Sequence, residues 1–205
     1  MPDLLDLILP VVSSPWIYVI VAAFVIIDGV FPLFPSEATV VGLAALASST
    51  GGPDALLLLT AAAVGAVAGD NAAFVLGRGL ARTGIDLRRV GALSRMLEWT
   101  SHGLERRPVS FILVARFIPM ARLAVDLTAG LEGFAYARFL PLCVMASAAW
   151  ATYNVAIGLA AGQWFENNPL VGMGVAIAMA MLFGWLVDIT IGRLLNRVRP
   201  VSTPL

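Results

Sequence analysis

Residues 28–37 read DGVFPLFPSE and place two prolines and two carboxylates in an otherwise apolar part of the chain. Proline lacks the N–H group that a helix interior needs, and it disfavours helical backbone in the residue before it. Pro32 and Pro35 therefore predict that the apolar stretch 28–49 breaks in its middle instead of forming one continuous helix.

A second stretch further along the chain has the same character. Residues 116–122 read RFIPMAR, so that Pro119 lies between Arg116 and Arg122 inside the apolar stretch 111–131. For the same reason we expect the helix to break in the middle of this stretch as well.

The composition indicates that both breaks lie in a membrane protein. Hydrophobic residues make up 60% of the 205 residues and charged residues 13%, whereas soluble domains have about 45–50% apolar and about 25% charged residues. The mean hydropathy is +0.90. These values exclude an ordinary soluble enzyme and a disordered chain, and the length suits a single domain.

Charge and residue counts exclude several other classes. The formal net charge of zero provides no electrostatic basis for binding nucleic acid. The single cysteine, Cys143, rules out a disulfide framework, and the single histidine, His102, leaves little basis for zinc or histidine-relay chemistry. We expect no metal and no cofactor.

Four charge-poor windows are candidates for spanning helices, which need about 20 apolar residues. They are Leu7–Ile27, Ala55–Gly69 if the helix continues through Asp70 to Gly77, Phe139–Phe165 and Asn167–Val187. The first six residues contain Asp3 and Asp6 and no basic residue, so we expect residues 1–15 to form an interfacial segment and not a signal peptide.

The two broken stretches, 28–49 and 111–131, do not fit simple spans. Broken backbone at membrane depth persists only where it is buried in protein or lines a water-filled cavity. We interpret both stretches as re-entrant hairpins with tips at Pro32, Pro35 and Pro119. The predicted fold is an all-α integral membrane protein of about four spanning helices and two oppositely oriented hairpins, the inverted repeat that many transporters use.

Arginine placement predicts the topology. Seven arginines lie in the connector 78–108 and three in the tail 193–205, whereas the connections 48–54 and 162–169 contain none. The positive-inside rule places the connector and the tail in the cytoplasm. The connector is polar enough to form a surface helix, and we expect its arginines to attract anionic lipid headgroups.

Six charged residues lie inside apolar segments, where each costs about 2.5–3.5 kcal/mol on insertion scales. They are Asp28, Glu37, Asp70, Arg116, Arg122 and Asp126. In a purely structural interpretation they form ion pairs that hold the two hairpins together. Glu37 would then pair with Arg116 or Arg122, and Asp126 with Arg122 one helical turn away.

A functional interpretation follows from the position of these charges beside the prolines. Guanidinium groups match phosphate oxygens in a bidentate manner, and helix N-termini at a break add partial positive charge. The facing carboxylates suit proton transfer, which we assign to Glu37 with Asp28, Asp70 and Asp126. Arg116 and Arg122 would bind the phosphate. Such a site can bind and release an anionic headgroup without breaking a bond, so we expect that the protein is not an enzyme.

Small residues predict close helix packing near these charges. Gly65 and Gly69 form a small-xxx-small pattern that lets a neighbouring backbone approach closely, and Asp70 follows directly. Gly130 is a third expected packing position.

Three elements of the sequence resemble those of the DedA family, also called the SNARE-associated or VTT-domain family. They are Asp28 with Pro32-Leu33-Phe34-Pro35-Ser36-Glu37; Gly65, Gly69-Asp70, Phe74 and Gly77-Arg78; and residues 116–122 with Ala129-Gly130, Phe139 and Trp150. The likeness covers roughly residues 16–162. Ser48, Ser49 and Thr50 occupy the stretch where some members have a second acidic position.

The resemblance implies a lipid transporter of the bacterial plasma membrane. Bacterial members are linked to recycling the polyprenyl-phosphate carrier of cell-envelope synthesis from the outer to the inner leaflet, with dependence on the proton motive force. Related eukaryotic members scramble phospholipids. By this resemblance Glu37, Arg116 and Arg122 are the functional residues, and Asp28 and Asp70 support them.

We therefore predict a multi-pass flippase for an anionic lipid phosphate, with polyprenyl phosphate as the expected substrate. One alternative is a scramblase of phosphatidylethanolamine or other phospholipids. Another is an assembly protein in which the buried ion pairs only stabilise the fold. A histidine-dependent lipid phosphatase is disfavoured because it needs two histidines. The sequence leaves the oligomeric state open, a homo-oligomer included.

Overall fold

A computed structural model describes residues 10–32, 35–83, 91–106, 108–116 and 118–164, together with positions 171, 174, 175, 177 and 178. All regular secondary structure in these ranges is helical, as predicted. The tail 193–205, the first nine residues and most of the candidate span Asn167–Val187 lie outside the described residues.

Seven helices make up the described fold. They are α1 (Trp16–Val30), α2 (Ser36–Thr50), α3 (Ala55–Arg82), α4 (Gly91–Arg106), α5 (Pro108–Ala115), α6 (Pro119–Leu131) and α7 (Tyr136–Trp164).

Two described helices are long and apolar enough to cross a bilayer. Helix α3 has 28 residues and α7 has 29, which at 1.5 Å per residue gives each a length of about 40 Å. Helix α3 meets the condition set for the candidate span Ala55–Gly69, since it continues through Asp70 and extends to Arg82. Helix α1 has only 15 residues, so the expected bounds Leu7–Ile27 are wrong: the helix begins after a turn at Pro15 and ends at Val30.

The first break lies between Val30 and Ser36, at the start of the stretch 28–49 and not in its middle. Asp28 is therefore in the last turn of α1, and Glu37 is in the first turn of α2. The bounds 28–49 are corrected accordingly: the two arms beside this break are α1 and α2. Pro32 and Pro35 both lie in this interval, and α2 then continues without interruption to Thr50.

The second break lies between Ala115 and Pro119, inside the stretch 111–131, as predicted. Pro119 occupies the first turn of α6, where its missing N–H leaves no helix hydrogen bond unmade. Ile118 before it is extended, with φ −127° and ψ 108°, which is the backbone that proline favours in the preceding residue.

The two long helices lie at the centre of the described fold. Helices α1 and α6 pack on α3, α2 and α5 pack on α7, and α3 contacts α7. Each broken segment thus places one arm on α3 and the other on α7. Helix α4 lies within the predicted connector 78–108 and contacts α6 through Thr100 and Thr128, whose hydroxyl oxygens are 2.7 Å apart.

Glycines allow the arms to approach α3 closely. A methyl group added at Gly65 would lie 2.7 Å from the carbonyl oxygen of Ala22, and one at Gly69 would lie 3.0 Å from Cα of Gly29. On the other arm, a methyl group at Gly130 would collide with the carbonyl oxygen of Phe74. Helices α1 and α6 therefore lie on α3 at both sides of Asp70.

Candidate functional site

The six charged residues singled out in the sequence meet in one place, which we call the charged cluster: Asp28, Glu37, Asp70, Arg116, Arg122 and Asp126. Five of them are at most 5% exposed, and Glu37 is half-buried. Helices α1, α2, α3, α6 and the second break each contribute to it. Charges that are distant in sequence are therefore brought together by the packing of both arms on α3.

Asp70 is the centre of the charged cluster. Nη1 of Arg116 donates a hydrogen bond to Oδ2 of Asp70, and Nε of Arg122 lies 3.9 Å from Oδ1. From α7, the Ser147 hydroxyl and the Cys143 thiol donate to Oδ2 over 3.4 Å and 3.5 Å. Asp126 lies against Asp70. Both arginines thus share one carboxylate in the middle of α3.

Arg122 also connects the two breaks. Its Nη2 donates to the carboxylate of Asp28 over 2.9 Å and to the Asp28 carbonyl oxygen over 2.8 Å. The same carboxylate accepts a hydrogen bond of 2.8 Å from Ser36 at the start of α2. These hydrogen bonds among Asp28, Ser36 and Arg122 therefore connect three helices: α1 at its end, α2 at its start, and α6.

The arginines pair differently from the examples expected from the sequence. The expected partners were Glu37 and Asp126, whereas the ion pairs join Arg116 to Asp70 and Arg122 to Asp28 and Asp70. The reason is geometric: α6 packs on α3, which places Asp70 within reach of both guanidinium groups, while Glu37 faces α7.

The guanidinium group of Arg116 has unused hydrogen-bonding capacity. Its Nη1 is engaged by Asp70, but Nε and Nη2 are buried without a hydrogen-bond partner among the described residues. These two N–H groups lie on the same edge of the planar guanidinium and match two oxygens of one phosphate. Leaving a buried donor unpaired costs about 1–3 kcal/mol. This edge of Arg116 is the strongest candidate contact for an anion.

Trp150 is a site residue that the sequence does not identify, because an uncharged side chain in an apolar segment gives no signal of a charged site. It lies on α7, its ring faces the guanidinium of Arg116 with Cζ 5.2 Å from the ring centroid, and its Nε1 donates to Glu37 over 3.4 Å. The one sequence feature that points to Trp150 is its place in the third element that resembles the DedA family, together with residues 116–122.

The prolines and glycines named from the sequence frame the charged cluster. Pro32 is half-buried and Pro35 is exposed at the first break, and Pro119 begins α6 at the second. Gly65 and Gly69 lie under α1, and Gly130 lies against α3. Within the described ranges, no group of three or more histidine, cysteine, aspartate or glutamate side chains is arranged to hold a metal ion.

Comparisons with known proteins indicate the family of this chain. The family model of the VTT domain matches residues 34–160. Two relatives in Mycobacterium tuberculosis are described as "Uncharacterized membrane protein MT0380" (strain CDC 1551 / Oshkosh) and "Uncharacterized membrane protein Rv0364" (strain ATCC 25618 / H37Rv). Each is 28% identical to this chain over 168 residues, which is 80% of this chain and 72% of the relative. No solved structure matches the chain.

Proposed function

Because this chain belongs to the VTT-domain (DedA) family of membrane proteins, we propose that it moves an anionic lipid phosphate between the leaflets of the bacterial plasma membrane. Polyprenyl phosphate is the expected lipid. The charged cluster binds the phosphate, and the acyl or prenyl chain stays in the bilayer. The family name alone does not identify a substrate, so the proposal rests on the chemistry of the charged cluster.

The observation that carries the proposal is the unpaired edge of Arg116. Two parallel N–H groups, buried together at the second break, suit the two oxygens of a phosphate monoester. Arg116 is 2% exposed, and in such an environment a charge-assisted hydrogen bond is stronger than in water. A headgroup that offers no anionic oxygen pair gains nothing from this edge.

Arg122 offers a bidentate edge to a phosphate only after it exchanges a partner. Its Nε is buried without a hydrogen-bond partner among the described residues, but Nη2 on the same edge is engaged. In this structure its Nη2 is bonded to Asp28, so that phosphate binding competes with the contact set that connects the two breaks. Loading the site is therefore linked to separating α6 from the end of α1, which is the movement that a transport cycle needs.

The charge balance supports coupling to protons. The charged cluster contains two guanidinium groups and four carboxyl groups, and burying uncompensated charge is costly. Adding an anionic phosphate increases the negative excess. We therefore expect phosphate binding to be accompanied by proton uptake on the carboxyl groups, with Glu37 as the half-buried one through which protons enter.

The direct test is transport in proteoliposomes of a fluorescent short-chain polyprenyl phosphate, followed by quenching of the outer-leaflet probe. The wild-type protein should make the inner-leaflet pool accessible, and Arg116→Ala should reduce the rate at least 10-fold. Arg138→Ala is the matched control, because Arg138 is exposed on α7 outside the charged cluster. If Arg116→Ala transports like the wild type while keeping its melting temperature, the site assignment is wrong.

The same vesicles separate the alternatives. A scramblase moves labelled phosphatidylethanolamine as fast as the phosphate and ignores a pH gradient, whereas the proposed flippase responds to the gradient. An assembly protein moves neither lipid. For that case, exchanging the charges of the observed pair, with Asp70→Arg and Arg116→Asp together, should restore stability and biological function; a transporter stays inactive.

A further inference from the structure

We infer that Trp150 is a positioning residue that couples the carboxyl group of Glu37 to the phosphate-binding edge of Arg116. The inference rests on the proposed function, since it concerns how the same site is controlled. It assigns a role to an uncharged side chain that contacts both an acid and an arginine of the charged cluster.

The geometry of Trp150 supports this role. The residue is 1% exposed within α7, among apolar side chains that include Val40, Leu43 and Leu46 of α2. The indole N–H points to Glu37 at the start of α2, and the ring face lies under the Arg116 guanidinium at the second break. Because the indole is one rigid plane, a rotation that changes the first contact also changes the second.

Glu37 lies near several charged groups and accepts a hydrogen bond from the indole N–H of Trp150. The charged groups that act on Glu37 are Asp28 at the end of α1, Arg116 at the second break and Arg122 on α6, all of them electrostatically. Among the residues that the structure describes, Trp150 is the one that donates a side-chain hydrogen bond to Glu37, over 3.4 Å. This distance is beyond the usual range for N–H···O bonds, so the contact has room to shorten.

The consequence is a mechanical link between proton and anion. An ionised carboxylate accepts a stronger hydrogen bond than a neutral carboxyl group does. Ionised Glu37 therefore holds the indole in place, and the ring supports Arg116 through a cation–π contact. Protonation of Glu37 weakens that hold, so the ring turns and the Nε and Nη2 edge of Arg116 changes direction. Anion affinity then depends on the proton state of Glu37 without direct contact between the two.

Two substitutions of Trp150 separate its hydrogen bond to Glu37 from its ring contact with Arg116. Trp150→Phe keeps an aromatic face for Arg116 but removes the N–H, and Trp150→Leu removes both. Trp150→Phe should reduce the transport rate less than Trp150→Leu does, and its remaining transport should lose its dependence on pH. Trp150→Leu should reduce the transport rate at least 10-fold. Glu37→Gln keeps an acceptor oxygen but cannot ionise. It should lower the overall transport rate, because protons enter through Glu37, and the remaining activity should have the same flat pH profile as Trp150→Phe.

The double variant distinguishes coupling from packing. If Trp150 transmits the state of Glu37, combining Trp150→Phe with Glu37→Gln changes the pH profile no further than either substitution alone. If Trp150 only fills space, Trp150→Phe keeps the wild-type pH profile and the two effects are independent, which overturns the inference.

A spectroscopic measurement tests the link without transport. Replacing Trp16, Trp99, Trp164 and Trp185 by phenylalanine leaves Trp150 as the single tryptophan. In nanodiscs its emission should change with pH, and Glu37→Gln should abolish the change. Constant emission across the pH range, in protein that elutes as a folded species, contradicts the inference even if transport is observed. If the emission of the single-tryptophan variant follows Glu37 but the wild-type protein transports no lipid phosphate, the proposed function is contradicted instead.

Discussion

Arg116 and Arg122 carry the same guanidinium group, but their surroundings give them different roles. Arg116 uses one nitrogen for Asp70 and keeps its bidentate edge unpaired. Arg122 donates hydrogen bonds from Nη2 to two oxygens of Asp28. The sequence predicted both as phosphate ligands because type and spacing were the only information available. It could not distinguish them, since their partners lie 46 and 94 residues away.

Arginine-to-lysine substitutions test this division. Lysine keeps the charge but has no planar edge, so Arg116→Lys should reduce transport of the lipid phosphate at least 10-fold. Arg122→Lys retains a cation for Asp28 and should keep a larger share of the activity. The measurement is the initial rate in proteoliposomes at matched protein content. Equal losses in the two variants would contradict the division of roles.

At the scale of the helices, the sequence predicted the second break better than the first. Pro119 lies directly at the start of α6, so the rule for the residue before proline located the break. At the first break, the sequence predicts that the spanning window ends at Ile27 and that the broken stretch begins at Asp28, but Asp28 remains helical. The charge is tolerated there because Arg122 on another helix neutralises it, and a local window contains no such information.

Close packing of α6 on α3 is the element-scale feature that holds the charged cluster together. A methyl group at Gly130 meets the backbone of Phe74 and Arg78, so Gly130→Ala should push α6 away from α3. We expect a loss of about 1–3 kcal/mol in stability and a larger fractional loss of transport, since Arg122 and Asp126 move with α6.

Gly79→Ala is the matched control for this substitution. Gly79 lies on α3 with no heavy atom within 4 Å of an added methyl group. Alanine is favoured over glycine in a helix by about 1 kcal/mol, so this variant should melt at the same temperature as the wild type or higher. The melting temperature in detergent and the transport rate are measured for both variants. Similar losses in both would show that the contact with α3 is not the cause.

At the scale of the whole molecule, the charged cluster lies between two apolar clusters that meet along α3. Ala66 belongs to one cluster, with Leu58 and Trp150, and Phe74 belongs to the other, with Phe139. Asp70 is one turn from each of these α3 residues. Both the membrane setting and the gathering of charges around the breaks were predictable from hydropathy and proline positions. The pairing was not, because it depends on which arm packs on α3.

The position of Asp70 along α3 has a topological consequence. Helix α3 is 28 residues long, so its two ends should lie on opposite sides of a bilayer with Asp70 inside it. No arginine lies in residues 48–54 before α3, whereas seven lie in residues 78–108 at and after its end. The positive-inside rule therefore predicts that Gly52 lies outside the cell and Glu105 in the cytoplasm.

Single cysteines measure this arrangement in a Cys143→Ala background, which removes the buried native thiol. Gly52→Cys should react with a membrane-impermeant maleimide in intact cells. Glu105→Cys, which is exposed on α4, should react only after permeabilisation. Labelling of both from the same side would mean that α3 does not cross the bilayer. The charged cluster would then not lie within it, and a route for a lipid headgroup through the charged cluster would lose its physical basis.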